Sequence, residues 1–214
     1  MRLNNQTLIL LAGAPGTGKT YTENIIKKCI PELTNVPLDR IKEHLYDEIG
    51  FDNPDEKREL DNIAYQRFYQ VLGYLMAKEK MIIADYPFSY LQKNQLEKIS
   101  HKYGYQVVTV RLEADLQRLY ERATKRDLEG PRHLGLKMNH YHYGDLVPDQ
   151  TGIDGLPSFS VFKARAIERG YQTFCVGQLI SLDVNDYDKI EYETFLMNLR
   201  NAINVDLGET VDGN

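Results

Sequence analysis

Eight residues constrain this chain more than any others: Gly13-Ala14-Pro15-Gly16-Thr17-Gly18-Lys19-Thr20, which fills the pattern GxxxxGK[ST] in full. A nearly continuous apolar run, Thr7–Ala12 (TLILLA), leads into it, and a stretch of helical character, about Lys19–Cys29, leads out. Short runs of this kind read as strands buried on both faces, as in parallel sheets. The setting gives the pattern its meaning. Gly13, Gly16 and Gly18 allow positive φ, so successive N–H groups can turn inward around an anion. The first turn of the following helix adds free N–H groups and the positive end of its dipole. Lys19 supplies a cation for the β and γ phosphates, and the Thr20 hydroxyl suits a hard cation such as magnesium. A bound nucleoside triphosphate with magnesium is the expectation, cradled by all eight residues from Gly13 to Thr20.

The rest of the chain alternates in the same way. A short second strand is expected near Asn35–Leu38, with Asp39 at a helix N-cap before Arg40–Glu48. Asn53-Pro54-Asp55 opens a long helix to about Lys78, and MIIA (Met81–Ala84) is a second buried strand that ends in Asp85. Helix Tyr90–Tyr103, strand Gln106–Leu112 and helix Asp115–Leu128 follow. From Pro131 to Ser158 periodicity fails, and a stretch that long without regular structure is expected to lie over a site. A strand within Gln172–Val184 and a helix over about Lys189–Ile203 close the pattern. The fold class is therefore α/β, a doubly wound parallel sheet with helices on both faces and a helical or loop lid. One domain is expected over residues 1–206, with a lid or substrate insertion at about 115–160 and a polar tail at 207–214. A length of 214 residues, 42% hydrophobic and 27% charged, suits that reading and argues against disorder.

Net charge is −5, so no global basic field favours long nucleic acid, although a local groove for a short strand stays open. Two cysteines far apart, Cys29 and Cys175, fit a reducing cytoplasm better than a disulfide framework. The apolar run near the N-terminus is too short for a membrane span, and its flanks are wrong for a signal peptide.

A phosphate nest does not separate kinases from switches and motors. Asp85, at the carboxyl end of its strand, could hold magnesium or touch an acceptor, or cap the turn before Pro87. No Glu follows it, as in many ATPase motors, and no DxxG as in a GTPase switch. Asp39-Arg-Ile-Lys42 offers a carboxylate to orient an acceptor hydroxyl and take its proton, and a lysine one turn later for an acidic acceptor; N-cap and solvated face are the plainer roles. Arg118, Arg122 and Arg126 share a helical face, with Arg122 and Arg126 the candidates for the γ-phosphate and Arg132 a further one. Thr124-Lys-Arg-Asp127 matches the guanine-reading pattern but lies within a helix, where it is coincidence. His140-x-His142 is a weak metal pattern with no Cys near, so His133, His140 and His142 read rather as substrate contacts or solvent-facing residues. Tyr86, Phe88, Tyr90, Tyr141 and Tyr143 could stack a planar substrate or simply pack.

The order P-loop, Asp39-x-x-Lys42, strand–Asp85, arginine-rich helix resembles the small bacterial P-loop kinases, the group of zeta-toxin-like, chloramphenicol phosphotransferase-like and polynucleotide-kinase-like proteins. The resemblance runs from Leu8 to about Arg132. It implies ATP as donor, magnesium on Thr20, an acceptor-side carboxylate at Asp39 and lid arginines from the Arg118–Arg126 helix. Many relatives carry Arg where Lys42 stands, and Arg132-His-Leu-Gly-Leu136 keeps half of an Arg-His-Pro-Gly-His segment found in some. The expected activity is transfer of the γ-phosphoryl of ATP to a hydroxyl of a small molecule or nucleotide. A polynucleotide 5′-hydroxyl kinase and a slow nucleotide-binding regulator are the alternatives.

Overall fold

The computed structural model describes residues 6–146 and 150–203. Five strands, β1 (Thr7–Ala12), β2 (Thr34–Asn35), β3 (Ile82–Asp85), β4 (Gln106–Glu113) and β5 (Gln178–Asp183), form one all-parallel sheet in the order β2-β3-β1-β4-β5. β1 is central and all six of its residues are buried, which is why its sequence is apolar without alternation. Its side chains divide between two cores. Leu8, Leu10 and Ala12 face helices α2 (Leu38–Ile49), α3 (Pro54–Ala77) and α4 (Tyr90–Lys102). Ile9 and Leu11 face α1 (Lys19–Cys29), α5 (Leu116–Glu129), α7 (Phe159–Glu168) and α8 (Tyr192–Ile203). The chain is thus an α/β, doubly wound parallel sheet covered on both sides.

A third, smaller cluster of Tyr46, Phe51, Leu60 and Tyr141 ties α2 and α3 to the segment around the one-turn helix α6 (Leu134–Lys137). Phe51 and Tyr141 exchange backbone hydrogen bonds of 2.8 and 2.7 Å, an isolated antiparallel bridge. Beyond α6 the irregular stretch is held to it by Gly155, whose N–H donates to Lys137 O at 3.1 Å.

Several expectations need correction. β2 covers Thr34–Asn35, not Asn35–Leu38, because Leu38 already begins α2. Asp39 does not cap that helix: Pro37 holds the N-cap position, and Asp39 falls in the first turn with its carboxylate free of the backbone. The last helix starts at Tyr192; residues Tyr187–Lys189 form a separate 3-10 turn. Helix α7 had no counterpart in the sequence reading, although Ser158 caps it and Phe162 and Ala166 bury its inner face. The 207–214 tail and residues 147–149 of the irregular segment lie outside the described residues. Among the described residues no helix is long and apolar enough to cross a membrane.

Candidate active site

The site sits at the carboxyl ends of the strands, where open parallel sheets form their crevice. β1 runs directly into the loop. Gly13, Gly16 and Gly18 adopt φ of +133°, +89° and +82°, the left-handed region that the motif anticipates. At Gly16 the lack of a side chain is also a matter of space, since a Cβ there would stand 2.3 Å from Leu119 O of α5. Thr17 Oγ1 donates to Ala14 O at 3.0 Å and closes the loop from within.

Lys19 Nζ donates to Gly13 O at 2.9 Å and Ala14 O at 3.1 Å. Burial pushes its pKa down to about 8, partly offset by the Asp85 carboxylate and deepened by Arg126. The ladder between β1 and β3 sets Leu11 opposite Asp85, so the carboxylate arrives beside the start of α1. There Thr20 Oγ1 donates to Asp85 Oδ2 at 2.9 Å. Burial raises the Asp85 pKa, which the Thr20 hydrogen bond and Lys19 oppose. One hydroxyl and one carboxylate oxygen side by side at the loop's mouth are a donor set that fits magnesium, which takes few protein ligands and completes its octahedron with phosphate and water.

A cavity of about 960 Å³ opens from this loop. Asp39, from the first turn of α2, lines it together with Pro15, Gly16, Gly18 and Lys19. Arg132 bridges Asp39 (3.4 Å) and Asp127 (3.5 Å). Arg126 Nε donates to Asp127 Oδ1 at 2.7 Å. Arg122 is engaged elsewhere: its fork donates to Val184 O (2.7 Å) and Asn185 O (2.9 Å), and its guanidinium lies 4.2 Å over the Tyr187 ring. Arg118 also donates to Asn185 O, at 3.1 Å. Two of the three arginines on that face therefore clasp the connection between β5 and α8. Tyr187 in turn donates from its hydroxyl to Gly16 O at 3.3 Å.

Lys42, also in the lining, is 6% exposed and already partnered. Its Nζ lies 3.0 Å from Asp61 Oδ2 and donates to Tyr86 Oη at 3.0 Å, with the Tyr65 and Tyr86 rings 5.3 and 5.2 Å away. Burial opposes its charge, but Tyr86 and the Asp61 carboxylate more than offset this and hold its pKa well above the ordinary value. Tyr46 donates a short hydrogen bond to Asp61.

Pro15, Gly16, Gly18, Lys19 and Thr20 of the loop line this one cavity with Asp39, Lys42, Asp85, Arg122, Arg126 and Arg132, whereas Gly13, Ala14 and Thr17 are not in its lining. Sequence reasoning missed Asp61, Tyr65, Lys57, Arg165, Arg169 and Tyr171. Asp61 and Tyr65 stand four apart beside the buried stripe Leu60, Ala64 and Phe68 of α3. A polar pair flanking an apolar stripe was the available signal. The three histidines each meet an aspartate: His133 with Asp47 (2.9 Å), His140 with Asp154 (3.4 Å) and His142 with Asp52 (2.9 Å). Of the aromatic residues, Tyr86 lines the cavity, Phe88 stacks on Phe174 in the core, Tyr141 is buried, and Tyr90 and Tyr143 are exposed.

No curated protein matches the sequence at a significant level. Among solved structures, a candidate kinase from Chloroflexus aurantiacus J-10-fl is 20% identical, with a TM-score of 0.67 over 92% of this chain and 98% of that one. A gluconokinase from Sinorhizobium meliloti 1021 is 15% identical, with a TM-score of 0.53 over 94% and 96%. These likenesses speak to the fold alone. The Zeta toxin family profile matches residues 2–140, from ahead of β1 through α5 and α6. With well over half its length matched in this way, the chain belongs to the Zeta toxin family, whose members are P-loop kinase-like proteins.

Proposed function

We propose that the protein is an ATP- and magnesium-dependent kinase that transfers the γ-phosphoryl group to a hydroxyl of a small molecule or nucleotide. The observation that carries this reading is the meeting of two groups in one cavity: a phosphate nest with Thr20 and Asp85 side by side, and the Asp39 carboxylate in the same lining, near enough to act on Lys19 and Asp85. In this reading the backbone from Gly13 to Thr20 holds the phosphates, and Lys19 balances charge on the β and γ groups. Thr20 and Asp85 would hold magnesium, which neutralises charge on the phosphate oxygens when bound. The acceptor oxygen attacks the γ-phosphorus, the bond from that phosphorus to the β-bridging oxygen breaks, ADP leaves, and Asp39 takes the acceptor proton. Arg126 and Arg132 are the guanidiniums whose charge acts on Lys19. Their carboxylate partners, Asp127 and Asp39, hold them until a phosphate competes. Arg122 acts by fixing Tyr187 and the connection after β5 against the loop. We read residues 1–206 as one kinase unit with the lid at about 115–160, working in the cytoplasm, where its two free cysteines stay reduced.

Calorimetry with Mg·ATP and a transfer assay over metabolites, nucleotides and a short oligonucleotide test this. Lys19→Ala is expected to weaken ATP binding about tenfold or more, and Asp39→Asn to keep ATP affinity while transfer falls roughly 100-fold or more. Absence of magnesium-dependent nucleotide uptake by the wild type ends the proposal. Uptake with only slow hydrolysis across every acceptor turns it toward a nucleotide-binding regulator, and label on the oligonucleotide end makes the acceptor a polynucleotide.

A further inference from the structure

The cavity wall contributed by α7 lies wholly outside the matched family region, which ends at residue 140. Tyr120 of α5 packs against Phe159 and Phe162, with ring centroids 5.5 and 5.7 Å apart, and Phe162 and Ala166 are buried. That contact fixes the rotation of the helix. Arg165 and Arg169, four residues apart and so on one face, line the same cavity as Lys19 and Asp39. Tyr171 lies beside them: burial raises its phenol pKa, and Arg169 and Arg165 pull it back.

The other cavity arginines are satisfied by protein groups. Arg122 has two carbonyls, Arg126 has Asp127, and Arg132 has Asp39 and Asp127. Neither Arg165 nor Arg169 has a carboxylate within 4.0 Å among the described residues. Arg165 is exposed and Arg169 half-buried, so both guanidiniums are open to an anion that enters the cavity. The lining as a whole carries nine Lys or Arg against five Asp or Glu, although the chain is net −5. Lys19, Arg126 and Arg132 answer the nucleotide's phosphates, which leaves the α7 pair without a ligand.

We propose that Arg165 and Arg169 form a subsite for an anionic group, a phosphate ester or a carboxylate, carried by the acceptor away from the hydroxyl that faces Asp39. The inference rests on reading this cavity as an acceptor site. It makes the acceptor a hydroxyl compound with a built-in negative charge, gripped by a planar fork rather than by the buried Lys42.

Titrations of methyl phosphate and of acetate into the wild type, Lys19→Ala, and Arg165→Gln/Arg169→Gln, each followed by calorimetry, test it. Binding that survives Lys19→Ala but weakens at least tenfold in the double variant belongs to α7. The preferred anion distinguishes a phosphate ester from a carboxylate. Lys163→Gln, exposed on the same helix and outside the cavity, is expected to bind as the wild type does. Against an acceptor that is turned over, the double variant raises KM at least tenfold with kcat within about twofold. Equal anion affinity in the double variant, or loss of all anion binding on Lys19→Ala alone, overturns the subsite. Mg·ATP uptake by the same samples reports separately on the kinase reading, because the anion titrations need no nucleotide.

Discussion

Lys57 carries an ammonium into an aromatic wall. Its Nζ lies 5.3 Å from the Phe51 ring centroid and 5.9 Å from that of Tyr46, and donates to Met138 O at 2.7 Å. Burial pushes its pKa down to about 8 from the ordinary 10.5, against the pull of Asp61. Between these values the unfolded chain binds the extra proton, so this lysine makes stability rise with pH from about 8 toward 10.5. The wild type is therefore expected to gain about 1–2 kcal/mol relative to Lys57→Met between pH 7 and pH 9.5, measured by urea unfolding. A difference that is flat or falls with pH contradicts the burial argument. Residues of this kind were hidden in the sequence because their role depends on which carbonyl or ring comes near. Arg122 shows the same limit. Its spacing put it on the right face of α5, but only the fold reveals that the carbonyls of Val184 and Asn185 take its donors.

At the scale of elements, what was legible followed from burial on both sides. β1, an almost continuous apolar run, and β4, rich in valine, lie at the middle of the sheet and declare themselves. β2 has two residues and β5 is half exposed along an edge, so neither pattern fixed its bounds. α7 was masked by the aperiodic stretch before it, although Ser158 and the Phe162–Ala166 spacing were there to see. The signal at the start of α3 was clear: Asn53 accepts from the N–H groups of Asp55 and Glu56 at 3.0 Å each, with Pro54 in the first turn. Asn53→Ala is expected to lower stability by about 1 kcal/mol, and Asn53→Asp to retain it. Equal urea midpoints for Asn53→Ala and the wild type count against this account.

For the whole molecule, a nucleotide bound at the junction of β1, β3 and α1 couples to global stability by mass action. At 100 times its Kd, Mg·ATP analogue is expected to add about 2.7 kcal/mol, roughly 5–10 °C in Tm for a chain of this length, and Lys19→Ala to cut the shift by about half or more at the same concentration. An unshifted melting curve in the wild type contradicts the nest. The touch between Tyr187 and Gly16 spans 171 positions of sequence. The ribosome therefore releases the phosphate loop well before the tyrosine that leans on it. β1 must wait with open flanks until β3 and then β4 arrive, and closure over long spans is slow. During synthesis the nascent protein carries its signature motif long before it can use it.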